Sequence, residues 1–209
     1  MKSAATGPLP VFPILFCLVP VTDVSAQPDL QGWVFGLGSG AATVSFEGDR
    51  GDGAALVDLR IGYGLNGIVT PYLNGAYADI RSPRLEGFDR MTFSHVDLGV
   101  RLHVAAGSRR WVPYGDLALT FWRVSDVLKS GERTTTDFMS MPTFSVGGGL
   151  AIFVSESWAL DVSFKAAEGT FRNVILANTP AGGTSGRSGT VLHLDAASVR
   201  LGVGLSWWP

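Results

Sequence analysis

The C-terminal segment 198–209 alternates strictly between apolar and polar or small side chains, and this pattern constrains the fold more than any other feature. The apolar set, which shares one face of an extended strand, is Val199, Leu201, Val203, Leu205 and Trp207. The opposite face has small residues and one arginine, Arg200. A period of two indicates a β-strand between two different environments. An apolar face backed by small and polar residues is typical of a strand with lipid on one side and a crowded polar lumen on the other.

The N-terminal segment has the organisation of a secretory signal peptide. Lys2 provides a positive charge, residues 9–21 form an apolar stretch, and Ala26 ends a small-residue cleavage site. The three prolines within the apolar stretch argue against a membrane-spanning helix. We therefore predict a signal peptide over residues 1–26, cleaved after Ala26, and a mature barrel domain over residues 27–209.

The composition excludes several classes of protein. Hydrophobic residues make up 46% of the chain and charged residues 16%, against about 25% charged residues in ordinary soluble domains. After residue 26, no apolar run approaches the roughly 18 residues that a membrane helix needs, which leaves a closed barrel as the way to span a bilayer. The net charge of −2 gives no indication of a nucleic-acid partner. Cys17 lies in the predicted signal peptide, so no disulfide or thiolate chemistry is expected in the mature chain.

Eight segments of the mature chain alternate in the same way and predict eight strands. They are 33–38, 55–63, 71–80, 95–104, 116–122, 143–152, 158–165 and 198–207. Short turns are expected near residues 66, 107 and 156, the first as a two-residue Asn-Gly hairpin, and long polar links near residues 45–53, 81–91, 125–141 and 173–189. Short turns on one side and long loops on the other are typical of outer-membrane barrels.

The fold class that follows is all-β, an eight-stranded antiparallel up-and-down transmembrane β-barrel. Its short turns and both mature ends are expected in the periplasm, and its long loops at the exterior. The C-terminal strand is expected to close the barrel against residues 33–40.

Aromatic residues recur at the strand ends beside the predicted short turns or the termini. The seven are Trp33, Tyr63, Tyr72, Trp111, Tyr114, Trp158 and Trp207. Trp and Tyr rings suit the headgroup region of a bilayer, where a row at one level forms an aromatic girdle. Core aromatics would not keep to the same end of successive strands. We therefore predict an aromatic girdle on the periplasmic side.

Charged residues recur on the polar faces of the predicted strands. The predicted lumen network is Asp58, Arg60, Asp97, Arg101, Asp116, Asp161, Lys165 and Arg200, with His95 and His103 on the same face. The interior of an eight-stranded barrel is just wide enough for side chains, and buried charges must pair. We therefore predict a salt-bridged plug that fills the lumen and fixes the strand register, rather than a path for protons or ions.

Four features together resemble a known superfamily. They are the signal peptide, the Gly-rich opening 32–38, Pro-Tyr at 71–72 and 113–114, and the alternating C-terminal strand. The chain is similar over residues 30–208 to the eight-stranded outer-membrane barrels of the OmpA transmembrane-domain and opacity-protein type. The resemblance implies an outer-membrane location, contact with outer-membrane lipids and insertion by the barrel-assembly machinery. Such proteins usually end on an aromatic residue, whereas here Trp207 and Trp208 precede a terminal Pro209.

Two groups of residues raise the question of catalysis. Ser94 lies on the opposite strand face from His95 and Asp97, so these three do not form a nucleophile constellation. His193 and Asp195 share an outward face near the exterior end of the last strand, where a lipid-modifying enzyme would act. The His-x-Ser-Asn motif of the lipid A deacylases is absent. No metal-ligand spacing occurs either, so we expect no catalytic, cofactor-binding or metal site.

The sequence therefore predicts a non-enzymatic outer-membrane protein with a structural or surface-interaction role. Its exterior loops would contact an extracellular ligand or a host surface. Two alternatives remain: an outer-membrane lipid-modifying enzyme of the lipid A acyl hydrolase type, and a soluble periplasmic lipocalin-like barrel that binds an apolar ligand. The soluble barrel would have its apolar face inward, and Arg60, Arg101 and Arg200 would point out to water.

Overall fold

The structure is a computed structural model of the chain. It describes residues 30–46, 52–80, 88–104, 110–128, 133–140, 142–179, 186–190 and 194–209. The predicted signal peptide with its cleavage site, the turn near residue 107, and His193 lie outside these residues. Within the described ranges, no helix has the length and apolar character needed to cross a membrane.

Strands make up the regular structure of the described residues. In chain order they are β1 (Gly32–Phe46), β2 (Asp52–Gly64), β3 (Val69–Ile80), β4 (Phe88–His103), β5 (Trp111–Leu128), β6 (Arg133–Ser140), β7 (Thr143–Phe153), β8 (Trp158–Thr179), β9 (Gly186–Thr190) and β10 (Leu194–Trp207). Every pairing between them is antiparallel, and β1 to β5 pair in chain order.

The sheet closes on itself through its first and last strands. One edge of β10 pairs with β1, from Trp207 opposite Phe35 to Ala196 opposite Phe46. The other edge of β10 pairs with β8. With no free edge at this seam, the backbone polar groups of both strands are hydrogen-bonded within the sheet. The predicted closure of the C-terminal strand against the first strand is confirmed.

The ten strand segments occupy eight positions around the barrel. Both β6 and β7 lie between β5 and β8, one towards each end of the wall. Likewise β9 and β10 both pair with β8, one after the other along its length. The predicted eight-stranded antiparallel up-and-down barrel is therefore confirmed.

Alternation along the strands directs the large apolar side chains out of the barrel. Leu98 is 59% exposed, whereas its neighbour Asp97 is fully buried. The same outward orientation recurs on the other strands, at Leu37, Leu59, Leu73, Leu117, Val146, Val162 and Leu201. A continuous apolar outer surface of this kind suits hydrocarbon and not water. It is the reverse of the arrangement that a soluble, lipocalin-like barrel requires.

Glycine lets the first and last strands meet closely at the seam. A Cβ atom at Gly40 would overlap the backbone oxygen of Leu201, and one at Gly38 would overlap the carboxylate of Asp58. These positions face the lumen, so the absence of side chains leaves room for the charged groups that reach across from β2.

Two local features differ from the sequence prediction, and the first is the extent of the strands. Strand β5 continues to Leu128, β6 lies within the predicted link 125–141, and β8 continues to Thr179. Polar residues keep the strand conformation here because neighbouring strands supply the backbone hydrogen-bond partners whatever the side chains.

The second difference is the first short turn. The Leu65 N–H donates to the Val69 carbonyl at 2.9 Å, which leaves three residues in the loop instead of the predicted two. Gly67 stands at its centre with φ of 41°, a left-handed conformation that favours glycine. The Asn66 side chain accepts a hydrogen bond from the Val69 N–H at 3.0 Å and fixes the turn.

Candidate functional site in the lumen

The structure places the eight charged residues predicted for the lumen on the inner face of the barrel. They are Asp58 and Arg60 on β2, Asp97 and Arg101 on β4, Asp116 on β5, Asp161 and Lys165 on β8, and Arg200 on β10. Four carboxylates thus face four cations, and their formal charges cancel. Balanced charges are a condition for burying so many ions in one small volume.

One ion cluster centres on Asp97, whose side chain is fully buried. Its carboxylate lies 3.1 Å from Arg200 Nη1 and 3.0 Å from Lys165 Nζ. The Thr120 hydroxyl donates to it at 2.8 Å. Arg200 also contacts the ring of His95. Strands β4, β5, β8 and β10 are therefore tied together through one carboxylate.

A second ion cluster centres on Arg101. Its guanidinium makes a two-pronged contact with Asp116, with Nε at 2.9 Å and Nη2 at 3.0 Å. Its third nitrogen donates to Asp161 at 2.8 Å. Asp161 also accepts from Arg60 at 2.8 Å and from the hydroxyl of Tyr114. The fork geometry of arginine suits this arrangement because it reaches two carboxylates at once.

Lys165 joins the two clusters. Its Nζ lies 3.0 Å from Asp97 and 4.0 Å from Asp116. It also donates to the Tyr72 hydroxyl at 2.9 Å and lies 4.8 Å from the centre of that ring. The two clusters therefore form one network that crosses the lumen, in which every cation has a carboxylate partner within 4.0 Å.

Asp58 is the member that the network does not bring into contact with a cation. Among the described residues it has no ion pair within 4.0 Å, and the Asn74 amide, with its nitrogen turned towards the carboxylate, donates to it at 3.3 Å. Two small cavities of about 40 and 20 Å³ adjoin Asp58 and Ser163. Their size leaves room for a few water molecules beside the carboxylate.

The charged network lies between two apolar layers that the sequence reasoning missed. The layer at the end with the short turns, called the floor here, consists of Leu30, Val34, Val112, Tyr114, Ala151, Phe153, Ala159 and Trp208. The opposite layer, called the roof, contains Phe93 and Trp122, whose rings meet edge to face at 6.0 Å, with Val44, Leu56 and several alanines. The inward positions of Val34, Phe93 and Trp122 follow from strand parity, which was the signal available in the sequence.

The predicted aromatic girdle requires a correction at Tyr72 and Tyr114. Both are buried inside the barrel, at 4% and 5% exposure, and bind Lys165 and Asp161 through their hydroxyls. Outward Leu73 already requires Tyr72 to point inward, because neighbouring residues in a strand face opposite sides. The prediction for these two tyrosines is wrong because position at a strand end was given more weight than parity.

The other five predicted girdle residues lie on the outer surface. Trp33 meets Tyr63 at 5.3 Å, and Trp158 meets Trp207 at 6.2 Å, both measured between ring centres. Phe35 links the two pairs, at 6.3 Å from Trp33 and 5.8 Å from Trp207. Trp111 stands on the far side of the barrel at 60% exposure. The described rings thus form a continuous patch over the seam and one isolated ring opposite.

Ser94, His95 and Asp97 do not form a catalytic constellation in the described part of the chain. The Ser94 hydroxyl points away from the lumen towards the backbone of Arg123, whereas His95 and Asp97 are buried inside. Asp195 is exposed and accepts a hydrogen bond from Thr170 at 2.9 Å. Within the described ranges, no group of three or more His, Cys, Asp or Glu side chains could hold a metal ion.

Solved structures with similar backbones identify the fold. Neisserial surface protein A matches with a TM-score of 0.59 and 13% identity, over 85% of this chain and 97% of that chain. The chain shares the fold of eight-stranded outer-membrane barrels. The barrel also matches outer membrane protein OprG from Pseudomonas aeruginosa, with a TM-score of 0.55 and 13% identity over 88% of this chain and 99% of that one.

A third similar barrel is Ail, the attachment invasion locus protein of Yersinia pestis. Its TM-score is 0.52 at 14% identity, over 85% of this chain and 99% of that chain. No protein-family model matches the chain, and no curated protein matches it significantly. At these identities the likeness concerns the backbone fold, and the surfaces and the lumen of this barrel must be interpreted from its own residues.

Proposed function

We propose that this chain is a non-enzymatic outer-membrane barrel with a closed lumen, which acts through its exterior segments in a structural or surface-interaction role. In this proposal the N-terminal segment exports the chain and is cleaved after Ala26. The barrel anchors the protein in the membrane, and an extracellular ligand or a host surface is contacted from outside.

The observation that carries this proposal is the opposite character of the two faces of the wall. The outer face is apolar around the barrel, and the inner face carries an ion network whose members pair across the lumen. A bilayer stabilises the first arrangement, and the second fills the narrow lumen with paired side chains instead of a continuous water path. Together they favour a membrane-embedded barrel without an aqueous channel.

Several strands are longer than a bilayer crossing requires, and this supports a role at the exterior. About 9–11 residues of a tilted strand cross a bilayer, whereas β8 has 22 residues and β5 has 18. The additional residues pair with β6 and β9 and extend one side of the wall past the membrane. Neisserial surface protein A and the attachment protein Ail have the same fold, which adds support for a surface role.

The enzymatic alternative receives less support from the described residues. A lipid-modifying enzyme needs a nucleophile or an activated water beside a base at the level of the lipid. Asp195 is exposed near that level and makes a hydrogen bond to a threonine. Mass spectrometry of lipid A from cells with and without the gene separates the two functions. An altered acyl pattern would favour the enzyme and contradict our proposal.

Removal of the exterior extension tests the surface role directly. Arg123 pairs with Met139, so joining these residues through an Asn-Gly turn shortens the β5–β6 hairpin. Phe171 pairs with Leu194, so the same join shortens the exterior end of β8 and removes β9. We expect cells that carry the shortened barrel to lose binding to immobilised host matrix proteins that cells with the full chain retain. Equal binding by both, with equal amounts of folded barrel, would contradict the surface role.

The outward aromatic residues are proposed to lie in the periplasmic headgroup region. Trp33 is 53% exposed at the outer surface, whereas Trp122 is buried in the roof. Lipids brominated near the headgroup should quench the fluorescence of Trp33 and not that of Trp122. The difference in quenching between Trp33→Phe and Trp122→Phe variants measures this. Equal quenching of the two indoles would contradict the proposed girdle.

A further inference from the structure

The two adjacent tryptophans at the C-terminus have opposite surroundings. Trp207 ends β10 and points outward, at 40% exposure, against the ring of Trp158. Trp208 is 5% exposed and lies inside the barrel as a member of the floor. The sequence pattern accounts for the first, because Trp207 continues the apolar face of the strand. The second continues the opposite, inward face, which otherwise carries small residues and one arginine, so a large ring there needs its own explanation.

Trp208 is held in place from two directions. Its backbone N–H donates to the carbonyl of Ser157 at 2.8 Å, in the turn between β7 and β8. Its ring packs within the floor, the apolar cluster that also contains Val34 and Val112. A large aromatic ring contributes more buried apolar area than any other side chain in such a layer. The floor therefore depends on a residue that no strand pairing secures.

His103 is the polar side chain on the inner side of this ring. It is 3% exposed, with its ring centre 5.9 Å from that of Trp208 and 6.2 Å from that of Tyr114. Neither ring nitrogen of His103 has a hydrogen-bond partner among the described residues, and the indole N–H of Trp208 also has none. Buried polar groups are nearly always paired, so this contact is a weak point in the floor.

The carboxylates near His103 are bound to arginines, and neither ring nitrogen of His103 hydrogen-bonds to one of them among the described residues. Arg101 lies two residues away on the same face of β4, and Arg60 faces it from β2. The carboxylates of Asp116 on β5 and Asp161 on β8 are already bound to these arginines. Tyr114 on β5 donates its hydroxyl to Asp161. A protonated His103 would therefore be a third cation against two engaged carboxylates, with both N–H donors unpaired.

We propose that Trp208 is a stopper that closes the periplasmic mouth of the lumen, and that protonation of His103 releases it. The inference rests on the proposed closed lumen and specifies the end at which the lumen opens. Release lets water reach the ion network from the periplasm, while the roof around Phe93 and Trp122 keeps the other end closed. Water would then enter the lumen from the periplasmic end, but ions would not cross the barrel.

Thiol labelling tests the stopper. In a Cys17→Ser background, Val34→Cys places a thiol of similar size to valine in the same buried floor cluster as Trp208. A charged, water-soluble thiol reagent should react with it on the order of tenfold faster when Trp208→Ala is added. Trp207→Ala is the matched control and should leave the rate unchanged. Equal rates in the two variants would overturn the stopper.

The release step is tested without altering the floor. The indole signals of ¹⁵N-tryptophan-labelled protein in nanodiscs are followed from about pH 7 to about pH 3, with Trp208 assigned from a Trp208→Phe variant. We expect the Trp208 signal to shift and to exchange faster with water in acid, and His103→Gln to abolish the change. A Trp208 signal that is constant, or that changes equally in His103→Gln, would overturn the release. This measurement stands even where Trp208→Ala folds poorly.

Failure of the stopper and failure of the closed lumen give different results. If the stopper inference is wrong, Val34→Cys stays unreactive in Trp208→Ala and the native barrel still does not conduct ions. If the closed lumen is wrong, the native barrel itself conducts in a planar bilayer. The second result would remove both inferences, and the first only this one.

Discussion

Neutralising Asp97 is the most informative perturbation of the lumen. Its carboxylate is fully buried and accepts from Arg200 at 3.1 Å, from Lys165 at 3.0 Å and from Thr120 at 2.8 Å. Asp97→Asn keeps the shape of the side chain and removes the charge. Arg200 then has no carboxylate within 4.0 Å in the described part of the chain, whereas Lys165 keeps Asp116 at 4.0 Å and the Tyr72 hydroxyl at 2.9 Å.

The size of the effect follows from the burial of Arg200. Its side chain is 6% exposed, and removing one partner of a buried ion pair costs about 3–5 kcal/mol because the other charge stays buried. With a urea dependence of about 2 kcal/mol per molar, the midpoint of unfolding should fall by about 2 M. Urea titration of the barrel refolded into lipid vesicles, followed by tryptophan fluorescence, measures this shift.

Two further variants make the test specific to pairing. Asp58→Asn removes a lumen carboxylate that has no ion pair in the described residues, so the free energy of unfolding should change by less than about 1 kcal/mol. Arg200→Met combined with Asp97→Asn removes both charges and should recover most of the lost stability, since no unpaired buried cation then remains at position 200. Equal destabilisation by Asp97→Asn and Asp58→Asn, or no recovery in the double variant, would refute the reasoning.

Two other predictions concern the wall of the barrel. Gly99→Ala should destabilise the barrel by about 1–3 kcal/mol, because its Cβ would lie 2.6 Å from that of Ala118. Gly75→Ala has open space around it and should be neutral. Urea titration checks both variants, and equal effects would contradict the packing. Leu98→Arg, in the middle of the apolar outer surface, should lower the free energy of unfolding in lipid by about 2–4 kcal/mol. Val104→Arg, at the edge of that surface, should lower it by about 1 kcal/mol or less. Similar effects of the two variants would contradict a lipid-facing outer surface.

Strand alternation made the faces of the wall predictable. A period of two reports which side chains share an environment, so inward Asp97 and outward Leu98 could be assigned without knowledge of any partner. The same parity also contained the correct position of Tyr72, which the interpretation of strand ends as girdle sites overrode. Parity is set by backbone geometry and is therefore the stronger argument where the two disagree.

Partner choice across the lumen could not be predicted. Arg60 binds Asp161, which is 101 residues away in the chain, and Arg200 binds Asp97, 103 residues away. Such pairs depend on the stagger of the strands around the barrel, which no local pattern encodes. The inward direction of Trp208 follows from parity, since it continues the inward face of β10 after Ser206, but its place in the floor was not predictable from a local pattern.

The most direct test of the account is the conductance of the native barrel in a planar lipid bilayer. An apolar outer face and a paired lumen between two apolar layers predict that the protein inserts and conducts no measurable current at neutral pH. Insertion is established in parallel by protease protection in vesicles of the same lipids. Large, stable single-channel currents from inserted protein would contradict the closed lumen, and failure of the folded protein to enter the bilayer would contradict the membrane barrel itself.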